Sequence, residues 1–170
     1  DNRVIYIDVS SKLNSPRILN DKARVHSNVL EAQNAKSGTT IKGEGVLVGI
    51  VDIGFQTDHP TFFNEDGSTY RVKRFWQQGN TSGVKPIKYG YGSLFSTKIS
   101  ILSAIDDDGT HATHVAGIAA GSGFQSPDLM YQGMAPKADL GFVSIKYWND
   151  SIGGSALGDY VVANSTILDG

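Results

Sequence analysis

The chain has 170 residues, about the size of one domain, so it can bury a substantial core but hardly two independent ones. Lys and Arg number 15 against 17 Asp and Glu, a formal charge of -2, which excludes a nucleic-acid binder built on gross charge. The longest apolar run, Val46 to Val51, falls far short of the roughly 20 residues of a helical membrane span, and the lack of cysteine excludes disulfides, thiolate metal sites and a cysteine nucleophile.

The chain begins at Asp1 with no Met, basic n-region or apolar h-region, which reads as a processed or excised polypeptide. Val4 to Val9 suits a short strand, and the polar stretch Ser10 to Asp21 suits a surface loop. Asp21 is an N-cap candidate for a helix over Ala23 to Ala35, with Val25, Val29 and Leu30 on one side and a stop near Ser37-Gly38. Residues 1–37 therefore read as a lead-in arm or propeptide-like segment, and 38–170 as the domain proper.

Val46 to Asp52 is a continuous, β-branched run between Gly45 and Gly54, the pattern of a central parallel strand buried on both faces. Tyr70 to Trp76 alternates as a second strand, and Gln77 to Gly92 is rich in turn residues. Ser96 to Ile105 carries Ile99, Leu102 and Ile105 at helical spacing, so about 77–105 reads as a surface insertion ending in a short amphipathic helix. Residues 106 to 121 (DDDGTHATHVAGIAAG) predict a helix capped by Asp108 or Thr110; its small side chains let it approach a sheet closely, and Gly121 and Gly123 end it. Ala138 to Tyr147 is a third strand, Asn149 to Gly158 a Gly/Ser-rich loop, and Ser165 to Gly170 the start of another helix. Strand, helix, strand alternation implies an α/β fold with a parallel sheet.

The chemistry concentrates at Asp52, His111 and His114. Asp52 ends a strand where open α/β sheets place their ligands, although a turn Asp capping Gly54 fits the same spacing. His111 and His114 share a helix face at i and i+3, which raises metal ligation. The pair lacks the Glu of the zincin pattern and any cysteine, and Asp106 to Gly109 lacks the spacing of an EF-hand loop, so no metal site is assigned. His114 reads as a structural histidine hydrogen-bonded to backbone. His111, at a helix N-terminus, is placed to act as a base, and Asp52 can supply the carboxylate that holds its tautomer.

The segments VGIVDIGFQTDHP and GTHATHVAGIAAG resemble the first two active-site motifs of the subtilisin-like serine peptidases, and MAPKADLGFVSIK resembles their third familiar segment. The resemblance spans residues 43 to 170 and implies a parallel-sheet, three-layer subtilisin-like fold truncated after roughly its first half. It implies a secreted or cell-surface serine endopeptidase acting on polypeptides, with Asp52 orienting the imidazole and His111 as general base and later acid. Ala112 stands where the family usually has Gly. The Gly-Thr-Ser-Met-Ala nucleophile segment and the oxyanion Asn are absent from these residues, and Ser155 lacks the flanking pattern of a nucleophile, so the chain alone is expected to be inactive.

Gly153, Gly154 and Ser155 fall where the family pairs an edge strand with extended substrate, which makes them the candidate substrate-binding backbone. Tyr89, Tyr91, Tyr147 and Trp148 read as packing residues and not as a peptide groove. Structural calcium gains little support: Thr61 matches the family's early Asp ligand, and Asp128 is the one carboxylate between Ser122 and Gln132. In the family the first-motif strand has a neighbour that this sequence does not contain, so Val46 to Val51 is expected to present an unpaired edge and to drive self-association. The rival function is a non-catalytic scaffold or binding module, a pseudopeptidase.

Overall fold

The computed structural model describes residues 20–35, 38–106 and 110–145. The β-branched run forms strand β1, Leu47–Asp52, and the second and third apolar runs form β2, Val72–Gln77, and β4, Asp139–Ser144. A short strand β3, Ser93–Phe95, lies between the last two in sequence. The sheet order is β1-β4-β2-β3, with β4 parallel to both β1 and β2 and β3 antiparallel to β2. The architecture is mixed α/β with a mostly parallel sheet.

Among the described residues β4 has a strand on each side and β1 on one side, the open edge expected for Val46 to Val51. Leu140, Phe142 and Val143 are at most 2% exposed, whereas β1 pairs on one side alone and leaves Leu47 46% exposed. An apolar run whose pattern reads as buried on both faces thus occupies a sheet edge among the described residues. Local hydrophobicity cannot say which of two similar runs receives neighbours on both sides.

Helix α4, His111–Ala120, packs on this sheet through Ala112, Ala116 and Ala120, each fully buried at i, i+4 and i+8. Methyl groups on that stripe allow the helix to sit close to the aromatic layer of Phe55, Phe62, Phe75 and Phe142. Phe55 stacks on Phe142 with ring centroids 4.5 Å apart, and Phe62 meets the same ring edge-on at 5.0 Å.

Three expectations are corrected. The single helix over Ala23 to Ala35 is two: α1, Asn20–His26, and α2, Val29–Gln33, separated by Asn28 at φ 60°. Asn tolerates that left-handed conformation, and Val25 is left 55% exposed. The docked face is polar: Arg24 donates to Gln33 Oε1 (3.0 Å) and to the Met130 carbonyl (3.0 Å), and Gln33 Nε2 donates to the Gly133 and Met134 carbonyls. Hydrogen-bond satisfaction, not an apolar stripe, holds these helices down.

The helix expected over Ser96 to Ile105 is shorter. In α3, Lys98–Leu102, a capping box of Thr97 and Ser100 starts the helix, and Ile101 is the buried residue while Ile99 and Ile105 are exposed. Because the helix ends at Leu102, Ile105 never joins its face. Nor does 77–105 lie wholly on the surface, since β3 extends the sheet and Ile101 enters the core. Tyr89 and Tyr91 pack against the buried Trp76, whose Nε1 donates to the Tyr91 carbonyl at 3.2 Å, so they are packing residues as read. The strand expected at Val4 to Val9, the helix from Ser165, and Tyr147 and Trp148 lie outside the described residues.

Candidate active site

The end of β1 and the start of α4 are joined by backbone. The first N–H groups of a helix have no intrahelical partner. At α4 the Ala112 N–H donates to the Ile53 carbonyl (2.8 Å) and the Thr113 N–H to the Gly54 carbonyl (3.2 Å), while the Thr110 side chain makes no cap. Gly54 adopts φ +78°, a conformation glycine takes without a Cβ penalty, and this turn presents both carbonyls to the helix. Thr113 Oγ1 tightens the join, donating to Gly54 O and accepting from the Gln56 N–H at 2.7 Å.

His111 is the first residue of α4 and Asp52 the last of β1, so this join brings them together. His111 Nδ1 lies 2.9 Å from each carboxylate oxygen of Asp52. An ionised carboxylate only accepts, so Nδ1 carries the proton it donates, leaving Nε2 as the nitrogen for another partner. Asp52 Oδ1 also accepts the Ile53 N–H at 2.8 Å. One carboxylate therefore meets both the imidazole and the backbone of its own turn, and the N–H it accepts is that of Ile53 and not of Gly54. The His111 side chain is 49% exposed and that of Asp52 20%, which leaves the imidazole open to a reacting group.

Sequence reasoning missed two residues that set this corner. Asp106 Oδ2 accepts the Phe55 N–H at 2.9 Å, and Thr113 bridges the turn to the helix. The Asp106 to Asp108 run drew attention only as a cap or metal loop, and nothing local shows that its first member reaches back 51 residues.

His114 lines a groove of about 400 Å³ shared with His59, Thr61, Gly117 and Ile118. The hydrogen bond to backbone expected of it is absent at Nε2, which is buried without a partner. His111 and His114 do not converge on a common point with a third ligand: among the described residues no group of three or more His, Asp or Glu is placed to hold a metal. His59 Nδ1 accepts the Thr61 N–H at 3.2 Å, capping a 3-10 turn over Pro60–Phe62, and burial lowers its pKa from the ordinary value against the opposing charge of Asp58.

The subtilase family model matches residues 43–164, a span that contains both Asp52 and His111. The chain belongs to the subtilase family. Subtilases are serine peptidases, and the chain is similar to two curated members. It is 31% identical over 109 residues to the subtilisin-like protease PopC of Myxococcus xanthus (strain DK1622), covering 62% of this chain and 17% of that protein. It is 27% identical over 164 residues to the subtilisin-like protease SBT2.3 of Arabidopsis thaliana, covering 79% of this chain and 18% of that one. The fold is similar to that of the CspB protease of Clostridium perfringens, with a TM-score of 0.54 at 20% identity over 83% of this chain and 29% of that chain. The chain thus spans less than a fifth of the length of the curated subtilases it matches. The candidate substrate-binding residues Gly153, Gly154 and Ser155 lie outside the described residues.

Proposed function

We propose that this subtilase segment supplies the aspartate and histidine of an Asp-His-Ser triad that hydrolyses peptide bonds in polypeptide substrates. The contact of His111 Nδ1 with the Asp52 carboxylate at 2.9 Å supports the reading. With Nδ1–H donated to Asp52, Nε2 is free to take the proton from a serine hydroxyl as it attacks the scissile carbonyl, and to return it to the leaving amine. Asp52 holds the tautomer and stabilises the imidazolium without itself being protonated. The attacking serine is drawn from sequence other than these residues, and extended substrate pairs with the backbone of Gly153, Gly154 and Ser155. A secreted or cell-surface setting accords with the family; no helix among the described residues is long and apolar enough to cross a membrane.

A fluorophosphonate probe applied to the full-length parent tests the reading. Labelling of a serine that disappears in His111→Ala supports it. A parent that folds and presents the serine yet resists the probe is a binding module and not a peptidase.

A further inference from the structure

The last four carbonyls of α4 also lack intrahelical partners, and each is accounted for. Gly117 O accepts from the Gly121 N–H (2.9 Å), Ile118 O from Met134 (3.1 Å) and Ala119 O from Ala135 (2.9 Å). Ala120 O accepts from the guanidinium of Arg71, at 2.7 Å. The same Nη2 donates to Thr61 O at 2.7 Å, Nη1 to Ala138 O at 2.8 Å and Nε to Phe63 O at 3.0 Å. Arg71 is 4% exposed. One buried cation therefore gathers four main-chain carbonyls from the 3-10 turn at Pro60–Phe62 and the residue after it, the end of α4 and the residue before β4.

A cluster of carbonyl oxygens around a point is also what calcium takes, usually completed by carboxylates. Where the resembled family has an early Asp calcium ligand this chain has Thr61, and the donors present do not fit a calcium. Thr61 brings no carboxylate, and its carbonyl is already taken by Arg71 and by the N–H and Oγ of Ser122, at 3.0 and 3.1 Å. Asp139 and Glu65 are the carboxylates whose charge acts on Arg71, and both are paired elsewhere. Asp139 meets Lys73 at 3.1 Å, and Glu65 meets Lys42 at 3.2 Å and Gln132 at 2.9 Å. Asp128 is exposed. A divalent ion here would face the fixed positive charge of Arg71, and the two carboxylates whose charge reaches it are already held by Lys73, Lys42 and Gln132.

We propose that the guanidinium of Arg71 takes the place of a structural calcium, fastening the 3-10 turn at Pro60–Phe62 to the end of α4 and the start of β4, so that this corner is calcium-independent. Arginine suits this role because its planar fork aims several donors at once, and it sheds water more readily than an ammonium. Burial lowers its pKa to about 10 against the charges of Asp139 and Glu65, so it stays cationic at neutral pH. Space around the corner is tight, since a Cβ on Gly121 would come within 2.5 Å of Thr61 Oγ1 and one on Gly133 within 2.6 Å of the Ala120 N.

Deuterium uptake of peptides covering residues 61–63 and 118–124 is compared in the full chain with calcium chloride, with magnesium chloride and with a chelator, alongside thermal melting of wild type, Arg71→Lys and Arg71→Met. Expected are identical uptake in the three media, a midpoint drop of about 10 °C for Arg71→Met, and partial retention in Arg71→Lys, whose point charge reaches fewer carbonyls. Slower uptake at these peptides with calcium than with magnesium overturns the proposal, as does an Arg71→Met protein that melts with wild type. Should Arg71→Met fail to fold, the calcium comparison on wild type and the Arg71→Lys uptake still decide it: unchanged uptake in Arg71→Lys refutes the fastening role.

Discussion

Replacing Asp52 by Asn isolates the tautomer from the rest of the site. In the wild type Oδ1 accepts the Ile53 N–H at 2.8 Å, and both carboxylate oxygens lie 2.9 Å from His111 Nδ1. An amide keeps its oxygen toward Ile53, because an NH2 group cannot accept from that N–H. Its NH2 group then lies against His111 Nδ1, where a ring N–H would meet it donor to donor, so the ring is driven to accept there. The proton moves to Nε2, and the nitrogen that has to receive the serine proton is already occupied. A triad working as proposed loses about 10^4 in kcat by this route, or ~5.5 kcal/mol of transition-state stabilisation. Stability changes little, because the Ile53 hydrogen bond and the side-chain volume survive. The assay pairs kcat/KM on a peptide substrate in the full-length parent with nitrogen NMR of the His111 ring. An Asp52→Asn enzyme within about tenfold of wild type, or a ring that keeps its proton on Nδ1, refutes the reasoning.

Two further outcomes are expected. His59 has a pKa lowered mainly by burial, so the unfolded chain binds its proton first and stability decreases as pH falls through the ordinary value of 6.5. His59→Asn keeps an acceptor for the Thr61 N–H and removes the titration; denaturant midpoints measured across this range should flatten, and an unchanged slope would show that His59 is not the group responsible. The side of β1 that has no partner strand among the described residues, with Val46 52% and Leu47 46% exposed, is expected to make this 170-residue chain self-associate, and Leu47→Lys to suppress it. A monodisperse monomer by light scattering at high concentration would count against that edge as a contact surface.

Strands β1, β2 and β4 and helix α4 were legible because each carries a strong local pattern: β-branched runs, an alternating segment, and a stripe of small residues between a threonine and a glycine. The Asp and His were legible because of their places at a strand end and a helix start. Strand β3 was not, since three residues give no periodicity, and its pairing with Phe75, Trp76 and Gln77 comes from the partner strand. The faces of the shorter helices were misjudged for the same reason. Below two turns, apolar spacing says little, and Arg24, Gln33 and Ile101 are buried by what lies across from them.

Residue types and their order along the chain were enough to name Asp52 and His111 as partners, a carboxylate at a strand end and an imidazole at a helix start, and the two meet at 2.9 Å. Which strand is central, how the Gly54 turn hands its carbonyls to α4, and that Arg71 gathers four carbonyls from three places were decided only in three dimensions. Most of these are contacts between segments far apart in the chain, and no local pattern encodes which main-chain group a distant side chain will find.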